Sequence, residues 1–566
     1  MRNQLVAEIL YNVADILEIK GEDFKPRAYR KAANTVETLS EDIEQVYKQG
    51  RLMELPGVGE HIAEKIAEII ETGKLKSYEK LKKSVPFDYE ELMNVQGMGP
   101  KRIKYLYDKL KIKNIKDLEK ASKQGKIRNL EGFGEKSEQN ILESIEFAKI
   151  GRGRMLLGFA LPTAEEIIKN IKMADKSAKV DYAGSLRRKK ETIGDIDILV
   201  SCRNPKKLME YFTSMKDVAK VLGKGDTKST VLLKNGLQVD IRVVPDESYG
   251  SALQYFTGSK LHNIAVRSIA IKKGYKLSEY GLFSGKKRIA GKTEKEIYSK
   301  LGMSYIEPEI RENEGEIELA IKNKLPKLIP YNSIRGDLQM HTKFSDGSNT
   351  VEEMALEAKK LGYEYIAITD HTGNLKVAGA MSVKEIPKYM KEIEKAEKKT
   401  GLRILKGCEV NILTDGSLDM PDKVLKDFDI VLAGVHSGFK EDIKTMTNRI
   451  INAMENEHVD VIAHPTGRIL QKREGYKVDL DKLFDFSKKT KTYLEIDAYP
   501  SRLDLDSVNT RRAIQSGCSL FIDTDAHSTE QLRYMNLGVA TARRGWAESK
   551  DILNTLPWIR LKKRIK

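Results

Sequence analysis

Two acids set the chemistry of the first half of this chain. Asp195 and Asp197 open a short apolar run, Ile196 to Val200, within the stretch GSLRRKKETIGDIDILV from Gly184 to Val200. Side chains alternate along a strand, so both carboxylates share one face at one strand end. Left unpaired they would be costly. They suit a hard divalent cation such as Mg²⁺, which takes oxygen ligands and keeps a place for a substrate phosphate. Upstream, Gly184 and Ser185 offer backbone and hydroxyl donors, Arg187 and Arg188 offer guanidinium groups, and Gly194 directly precedes the acids. Such donors suit a triphosphate. In-line displacement between two metals calls for a further ligand near the attacking oxygen. Asp240, flanked by Val239 and Ile241 in the run from Leu237 to Val244, is the acid that meets this need. The rival reading is a surface pair of acids beside a solvated basic turn. Phosphoryl transfer is the chemistry that uses all of these residues together.

The second half carries a different set. Short apolar runs end one after another in His341 with Asp346 behind it, in His371, Glu409, His436 and His464, and then in Asp525 and His527. Five of the eight histidines of the chain stand at these ends. Alternation with helical segments is the pattern of a β/α barrel, which brings the carboxyl ends of its strands to one mouth. One histidine at a strand end is more often a core residue. Five of them beside three acids read as a metal centre with mixed nitrogen and oxygen ligands, suited to Mn²⁺, Zn²⁺ or Fe. Metals so held generate hydroxide and clamp a phosphate ester. Glu495 and Asp497 end a further run without an evident ligand role, and His262 and His458 lack acidic company. Arg468, Arg502 and Arg533 could contact phosphates near the mouth, but on so basic a chain they read first as solvated side chains.

The ordered set Gly184-Ser185, Gly194-Asp195-Ile196-Asp197, Val239-Asp240-Ile241-Arg242, Tyr255-Phe256-Thr257-Gly258-Ser259, Asn263, Arg267 and Gly281 resembles the family X DNA polymerases of the nucleotidyltransferase superfamily. That resemblance implies that Asp195, Asp197 and Asp240 bind two Mg²⁺, and that Gly184, Ser185, Arg188 and Gly194 hold the triphosphate of a dNTP. It also implies that Tyr255 and Phe256 flank the sugar with Gly258 close by, that Asn263 meets the minor-groove edge of the base, and that Arg242 and Arg267 contact DNA. Core packing is the rival role for Tyr255 and Phe256. Lys260 departs from the vertebrate repair enzymes. The barrel half resembles the PHP (polymerase and histidinol phosphatase) domain, seven strands around two to three metals. Its coupling to the polymerase half matches the long bacterial and archaeal form of the family. This second resemblance assigns His341, Asp346, His371, Glu409, His436, His464, Asp525 and His527 as ligands. It implies a 3′-5′ exonuclease or 3′-end-processing phosphoesterase, with abasic-site cleavage a further option. The usual first His-x-His is Gln339-Met340-His341 here, and an amide oxygen is a poorer ligand than imidazole for Mn²⁺ or Zn²⁺.

Other elements must bring substrate to these sites. Residues 1–82 show apolar positions at helical spacing, and Gly57 and Gly59 precede a helical run from Ile62 to Ile70. A Gly-x-Gly turn opening a helix presents amides and a positive dipole end to phosphate, the helix-hairpin-helix manner of gripping DNA without reading sequence. A tight turn that merely needs glycine is the bland alternative. The pattern returns at Gly97 and Gly99 and again at Gly132 and Gly134, with a purely structural role the alternative for the third. The first region also resembles the lyase domain of family X enzymes. By that resemblance Lys65 is a Schiff-base nucleophile, and Lys25, Tyr29 and His61 bind the 5′ phosphate or flank the lysine. Ser77 and Phe24 stand where the family often has lysine and histidine.

The expected architecture is multidomain α+β and α/β. It comprises a lyase-like 5′-end-binding domain (1–82), a helix-hairpin-helix domain (83–147), a palm (148–247), a nascent-base-pair thumb (248–318), a linker (319–333) and the PHP barrel (334–566). A charged helix is expected from Arg311 to Lys324, and Pro326 and Pro330 then mark the boundary. The 566 residues suffice for several cores. A net charge of +16 fits a polyanionic partner. Three dispersed cysteines exclude a disulfide framework or zinc ribbon, and the absence of long apolar runs excludes membrane spans. The reading is a cytoplasmic, monomeric DNA-directed DNA polymerase acting on gapped or primed DNA in repair, with a 3′-end-trimming barrel. Its rivals are the same polymerase with a structural barrel and a non-catalytic DNA-end binder.

Overall fold

Apolar residues three and four apart make the amino-terminal region a set of amphipathic helices that bury their inner faces on one another. They are Arg2–Ile19, Lys25–Glu37, Ile43–Lys48, Glu60–Thr72 and Lys76–Lys83, followed by Tyr89–Met93, Pro100–Leu110 and Ile115–Lys123. The structure, a computed structural model, describes residues 2–566 apart from 23, 38, 40–42, 94, 96–97, 135–137, 139–140, 143–144, 146–153 and 376–377. One apolar core runs from Val6 to Ile145 and so continues across residue 82, where the sequence suggests a boundary. The Tyr89 hydroxyl donates to Asp15 at 2.7 Å across that join, and Arg30 binds the same carboxylate. Among the described residues no helix is long and apolar enough to cross a membrane.

The palm is a five-stranded sheet in the order Lys179–Tyr182, Asp195–Ser201, Gln238–Val243, Lys228–Leu233, Val218–Lys224. Its second and third strands are parallel and the other pairs antiparallel. Alternation divides its faces. Val180, Ile196, Ile198, Val200, Val239 and Ile241 share a core with Leu157–Ala174 and Pro205–Thr213. On the opposite face Leu199 is covered by Tyr249, Ala252 and Leu253 of the helix Tyr249–Thr257. The cover stops short of Asp195 and Asp197, which are exposed and half-buried respectively.

The thumb follows as helix Lys260–Lys272, an antiparallel sheet of Tyr275–Ser278, Gly281–Ser284 and Lys287–Ala290, and helix Glu294–Lys300. The helix expected from Arg311 to Lys324 is confined to Glu316–Ile321. Arg311 is wholly buried and donates to Glu294 at 2.6 Å and to the Ile306 carbonyl at 2.9 Å. Glu316 turns inward to His262 at 2.7 Å. Charged residues drawn into the core break the helix that a solvated face would have allowed. His262, which in the sequence lacks acidic company, is buried between Glu316 and the Tyr298 hydroxyl, 2.8 Å from the latter.

The carboxy-terminal half is a nearly closed barrel of parallel strands in the order Gly336–Asp337, Tyr365–Ile368, Arg403–Asn411, Ile430–Gly434, Val461–Ile462, Tyr493–Asp497, Leu520–Asp523, with His371–Thr372 beside the third. Met340 pairs with Ala526 to join first strand to last. These strands are apolar almost throughout because helices cover the outside and side chains fill the inside. The segment 319–333, expected as a linker, is bound down. Leu328 and Ile329 are buried, Ile329 donates to the Ala547 carbonyl at 2.8 Å, and Lys327 donates through its backbone to Glu548 at 2.8 Å. Leu503 and Leu537 of the barrel complete the palm's apolar core.

Candidate functional site

In the palm, register decides the site. Asp197 stands opposite Asp240 on the adjacent parallel strand, and Asp195 opposite Gln238. Asp240 accepts hydrogen bonds from Thr230 and Gln238, both at 2.6 Å, and lies 3.9 Å from Lys228. Thr230 and Lys228 do not stand out in the sequence, since their contact depends on strand pairing, whereas Gln238 lies two residues before Asp240 on the same strand and so on the same face. A cleft of about 300 Å³ opens here, lined by Asp197, Lys228, Gln238, Asp240, Arg242 and Phe256. Gly184 has φ +60°, and a Cβ there would lie 2.3 Å from an Asp197 oxygen. Only glycine lets the turn approach the acids so closely. Burial, then the charges of Asp195 and Asp240, raises Asp197 to about 7. Crowding of its carboxylate by the surrounding protein, then Asp240, raises Asp195 as well, although the residue keeps an exposed outer surface. Two acids whose charged forms are disfavoured, beside a third in register, are a fitting cradle for cations.

Around this cleft the basic residues are already engaged. Arg187 does not face the cleft as a free cation but is ion-paired to buried Glu294 at 2.7 Å. Arg188 binds Glu312 at 3.1 Å and the Thr257 carbonyl. Ser185 is half-buried at the head of the turn, and Gly194 lies beside Arg154. Tyr255 and Phe256 meet edge to face at 5.1 Å, with Arg242 over Phe256 at 4.7 Å and Arg267 over Tyr255 at 5.9 Å. Gly258 follows at φ +69°. Asn263 donates to the Tyr255 carbonyl and accepts from Gln254, each at 2.7 Å.

At the barrel mouth, among the described residues, three overlapping groups have ligand atoms within 4.8 Å of one another. They are His341, Asp346, His371 and His527; His371, Glu409 and His436; and His341, Glu409 and Asp525. The palm acids do not form so tight a group. Glu409 is the hub. Its Oε1 lies 3.0 Å from His436 and 3.1 Å from His464, and its Oε2 lies 3.4 Å from His341 and 3.5 Å from His371. His341 also reaches Asp525 at 3.0 Å, and His527 reaches Asp346 at 3.4 Å. His341 Nε2 and His371 Nδ1, the ring atoms that face Glu409 Oε2, are buried without a hydrogen-bond partner, which fits bound cations. Gln339 donates its amide to Glu409 at 3.2 Å and leaves its oxygen buried and unpartnered. It therefore acts toward Glu409 as a donor, where an imidazole at this position could offer a cation its lone pair.

Burial alone would neutralise Glu409, but His371 and His436 hold it well below the carboxylate range. Burial likewise works against charge on His527, yet Asp346 and Asp525 raise it to about 9, while burial pulls His371 down to about 4. Asp525 and His464 sit at φ +51° and +31°, a left-handed backbone rare outside glycine and frequent at functional sites. Gly434 is required, since a Cβ there would lie 2.7 Å from the His436 ring and 2.8 Å from Glu409. Asp370 and Gln531, which the sequence does not single out, take the Thr342 N–H at 2.7 Å and the His527 N–H at 2.6 Å, and Glu495, which has no evident ligand role in the sequence, takes the His464 N–H at 2.6 Å. The solvated reading fails for two arginines. Arg502 is drawn in between Asp497 at 3.3 Å and Asp525 at 3.5 Å, and Arg468 pairs with Glu191 of the palm at 2.6 Å. Arg533, 74% exposed, keeps it.

In the helical region Gly57, at φ +84°, and Gly59 form the turn into Glu60–Thr72, and Gly99 precedes Pro100–Leu110. Gly97 lies outside the described residues, as do the last residues of the third hairpin motif, Glu135 and Lys136. Lys65 is half-buried on Glu60–Thr72, His61 on the same helix is exposed, Lys25 pairs with Glu22 at 3.2 Å, and Tyr29 packs on the core.

Known family descriptions match the chain in sequence. A helix-hairpin-helix domain matches 1–75, a SAM-like helix-hairpin-helix tandem 89–146, the DNA polymerase beta palm 161–255, the DNA polymerase beta thumb 252–312 and a PHP domain 337–498. "DNA polymerase/3′-5′ exonuclease PolX" of Bacillus subtilis (strain 168) is 38% identical over 561 residues, 98% of this chain and 97% of that protein. A "probable phosphatase" of Thermoanaerobacter sp. (strain X514) is 33% identical over 206 residues, 34% of this chain and 78% of its own. DNA polymerase lambda of Rattus norvegicus is 27% identical over 344 residues, 55% of this chain and 56% of its own.

Proposed function

The chain belongs to the family X DNA polymerases that carry a PHP domain, and we propose on that footing that it fills short gaps in DNA during repair and trims 3′ ends in its barrel. We place its work on gapped or primed DNA in the cytoplasm, as a monomer. The observation that carries this reading is that one chain holds two separate acidic centres, Asp197 opposite Asp240 in the palm and the groups around Glu409 in the barrel. Asp195, Asp197 and Asp240 would hold two Mg²⁺. Bound there, Mg²⁺ supplies positive charge to the triphosphate and acidifies the primer 3′ hydroxyl. Gly184 and Ser185 donate to the triphosphate, assisted by Arg188 and Gly194. The 3′ hydroxyl attacks the α-phosphorus and pyrophosphate leaves. Tyr255, Phe256 and Gly258 flank the sugar and favour a deoxynucleotide, while Asn263, fixed by Gln254, meets the base edge. Arg242 and Arg267 face the DNA, whose backbone is gripped at Gly57, Gly59 and Gly99, and at Gly97 by its place in the sequence motif.

In the barrel, His341, Asp346, His371, Glu409, His436, His464, Asp525 and His527 would hold two or three ions of Mn²⁺, Zn²⁺ or Fe, which supply a hydroxide nucleophile and clamp the ester. The proposal keeps the domain division given by the sequence, with the two amino-terminal helical domains sharing one core across residue 82 and 319–333 docked on the barrel. A 5′-labelled primer in one-nucleotide-gapped DNA tests it: extension by one nucleotide is expected with Mg²⁺ and dNTP, and shortening with Mn²⁺ alone. Absence of extension overturns the polymerase reading, and absence of shortening leaves the barrel structural. For Lys65, borohydride is expected to trap the wild-type chain, but not Lys65→Ala, on a 5′-deoxyribose-phosphate end. Equal trapping of both would remove Lys65 from the lyase role.

A further inference from the structure

The basic turn Arg187–Lys190 packs four cations beside the palm acids, and its residues find their anchors unevenly. Arg187 is held within the polymerase half by Glu294, and Lys189 by the Tyr182 hydroxyl at 2.9 Å. Arg188 and Lys190 depend on one carboxylate oxygen, Glu312 Oε1, at 3.1 Å each. That oxygen is shared with a residue from the other half of the chain. Arg544, the last residue of the barrel helix Met535–Arg544, lies 3.2 Å from it, and the same Arg544 nitrogen donates to the Arg188 carbonyl at 2.7 Å and the Glu309 carbonyl at 3.3 Å. The Arg544 side chain is 8% exposed and Glu312 is 12% exposed, so these contacts are made away from competing water.

The far end of the turn is held from the barrel too. Arg468, four residues beyond His464, pairs with Glu191 at 2.6 and 3.2 Å, and Gln471 donates to the Arg154 carbonyl. Arg154 in turn binds Thr192 at 2.6 and 2.7 Å, next to Gly194. Barrel residues thus grip both sides of the segment that leads into Asp195.

Resting on the polymerase reading above, we propose that the barrel is a working part of the polymerase site and that Arg544 is a positioning residue for nucleotide binding, acting through Glu312 and Arg188. The physical argument is directional. Arg188 uses Nε on Glu312 and Nη1 on the Thr257 carbonyl, while a guanidinium carries five N–H donors in a rigid plane. Fixing one edge confines the remaining donors to a single plane, in which they can meet a triphosphate without a further loss of freedom. Without Arg544 the Arg188 backbone loses its donor, and Glu312 keeps two cations that can pull it toward either. Lys190, Arg188 and Arg544 outweigh the burial of Glu312 and hold it at about 2, so this carboxylate is charged at any working pH. Three cations around one acid also leave surplus positive charge for a phosphate.

The test uses the full chain, one-nucleotide-gapped DNA, Mg²⁺ and the complementary dNTP. Arg544→Ala is expected to raise KM for the dNTP about tenfold, the scale of a lost buried hydrogen bond to a charged group, with kcat changed less than about threefold. Arg544→Lys, which can still donate to Glu312 or the Arg188 carbonyl, recovers part of the loss. Trimming of the 3′ end with Mn²⁺ and no nucleotide, measured on the same samples, stays at the wild-type rate. An unchanged KM in Arg544→Ala overturns the proposal. So does a parallel fall in extension and trimming, which would make Arg544 a residue of the fold alone. A wild-type chain that does not extend the primer is a different failure, that of the polymerase reading itself.

Discussion

Replacing Asp197 by alanine is expected to lower nucleotide incorporation into gapped DNA by about a thousandfold or more, corresponding to about 4 kcal/mol of transition-state stabilisation, while 3′ trimming persists. Asp197 is less exposed than Asp195, is in register with Asp240, and is the acid against which the Gly184 turn closes. Retained incorporation would remove Asp197 from the catalytic acids, whereas a non-catalytic DNA binder would show no incorporation even in wild type and unchanged DNA binding in the variant. The electrostatics add a second readout. Asp197 rises from 3.8 to about 7 on folding, chiefly through burial and then through its two acidic neighbours. A carboxyl raised by folding binds its proton more tightly when folded, so its contribution to stability falls as pH rises between about 4 and 7. Asp197→Asn removes that loss. The metal-free variant should melt above wild type by a margin that grows from pH 5 to pH 8, on the order of 2 kcal/mol, and Mg²⁺ should close the gap by stabilising wild type. An equal margin at both pH values would mean that the acids do not hold each other's protons.

Glu409→Gln is expected to have the converse effect, lowering 3′ trimming by about a thousandfold and bound metal with it, while extension stays within about threefold of wild type. Glu409 belongs to two of the three ligand groups, and four imidazoles lie within 3.5 Å of its oxygens. The amide is nearly isosteric but neutral, so a buried charge that balances the histidines disappears without a cavity. Assaying metal content and both activities on one preparation separates the outcomes. Trimming that survives with full metal content would remove Glu409 from the ligand set. Loss of extension as well would show that the barrel charge supports the whole molecule.

Much of this was legible in the sequence because it is local. Alternation along Asp195–Val200 places two acids on one face whatever the strand packs against, and apolar runs that end in His371, His436 and His464 deliver ligands to a barrel mouth by chain direction alone. Gly-x-Gly before a helical run announces the hairpins for the same reason. Resemblance added the order of the domains and the expected role of each residue, and the nearly closed barrel and the paired palm strands agree with that architecture.

What the sequence could not contain is which charges leave water. Arg311 sits in a run that reads as a solvated helix, yet it is wholly buried against Glu294, and the helix shortens to Glu316–Ile321. Arg502 and Arg468 read as surface side chains, and each is paired with an acid distant in the chain or on another sheet. Thr230 finds Asp240 only through strand register, and Arg544 reaches Arg188 across 356 residues. A charged side chain has the same sequence signature whether hydrated or buried. Only tertiary packing decides, because burial removes its water and an opposite charge from elsewhere in the fold must replace it.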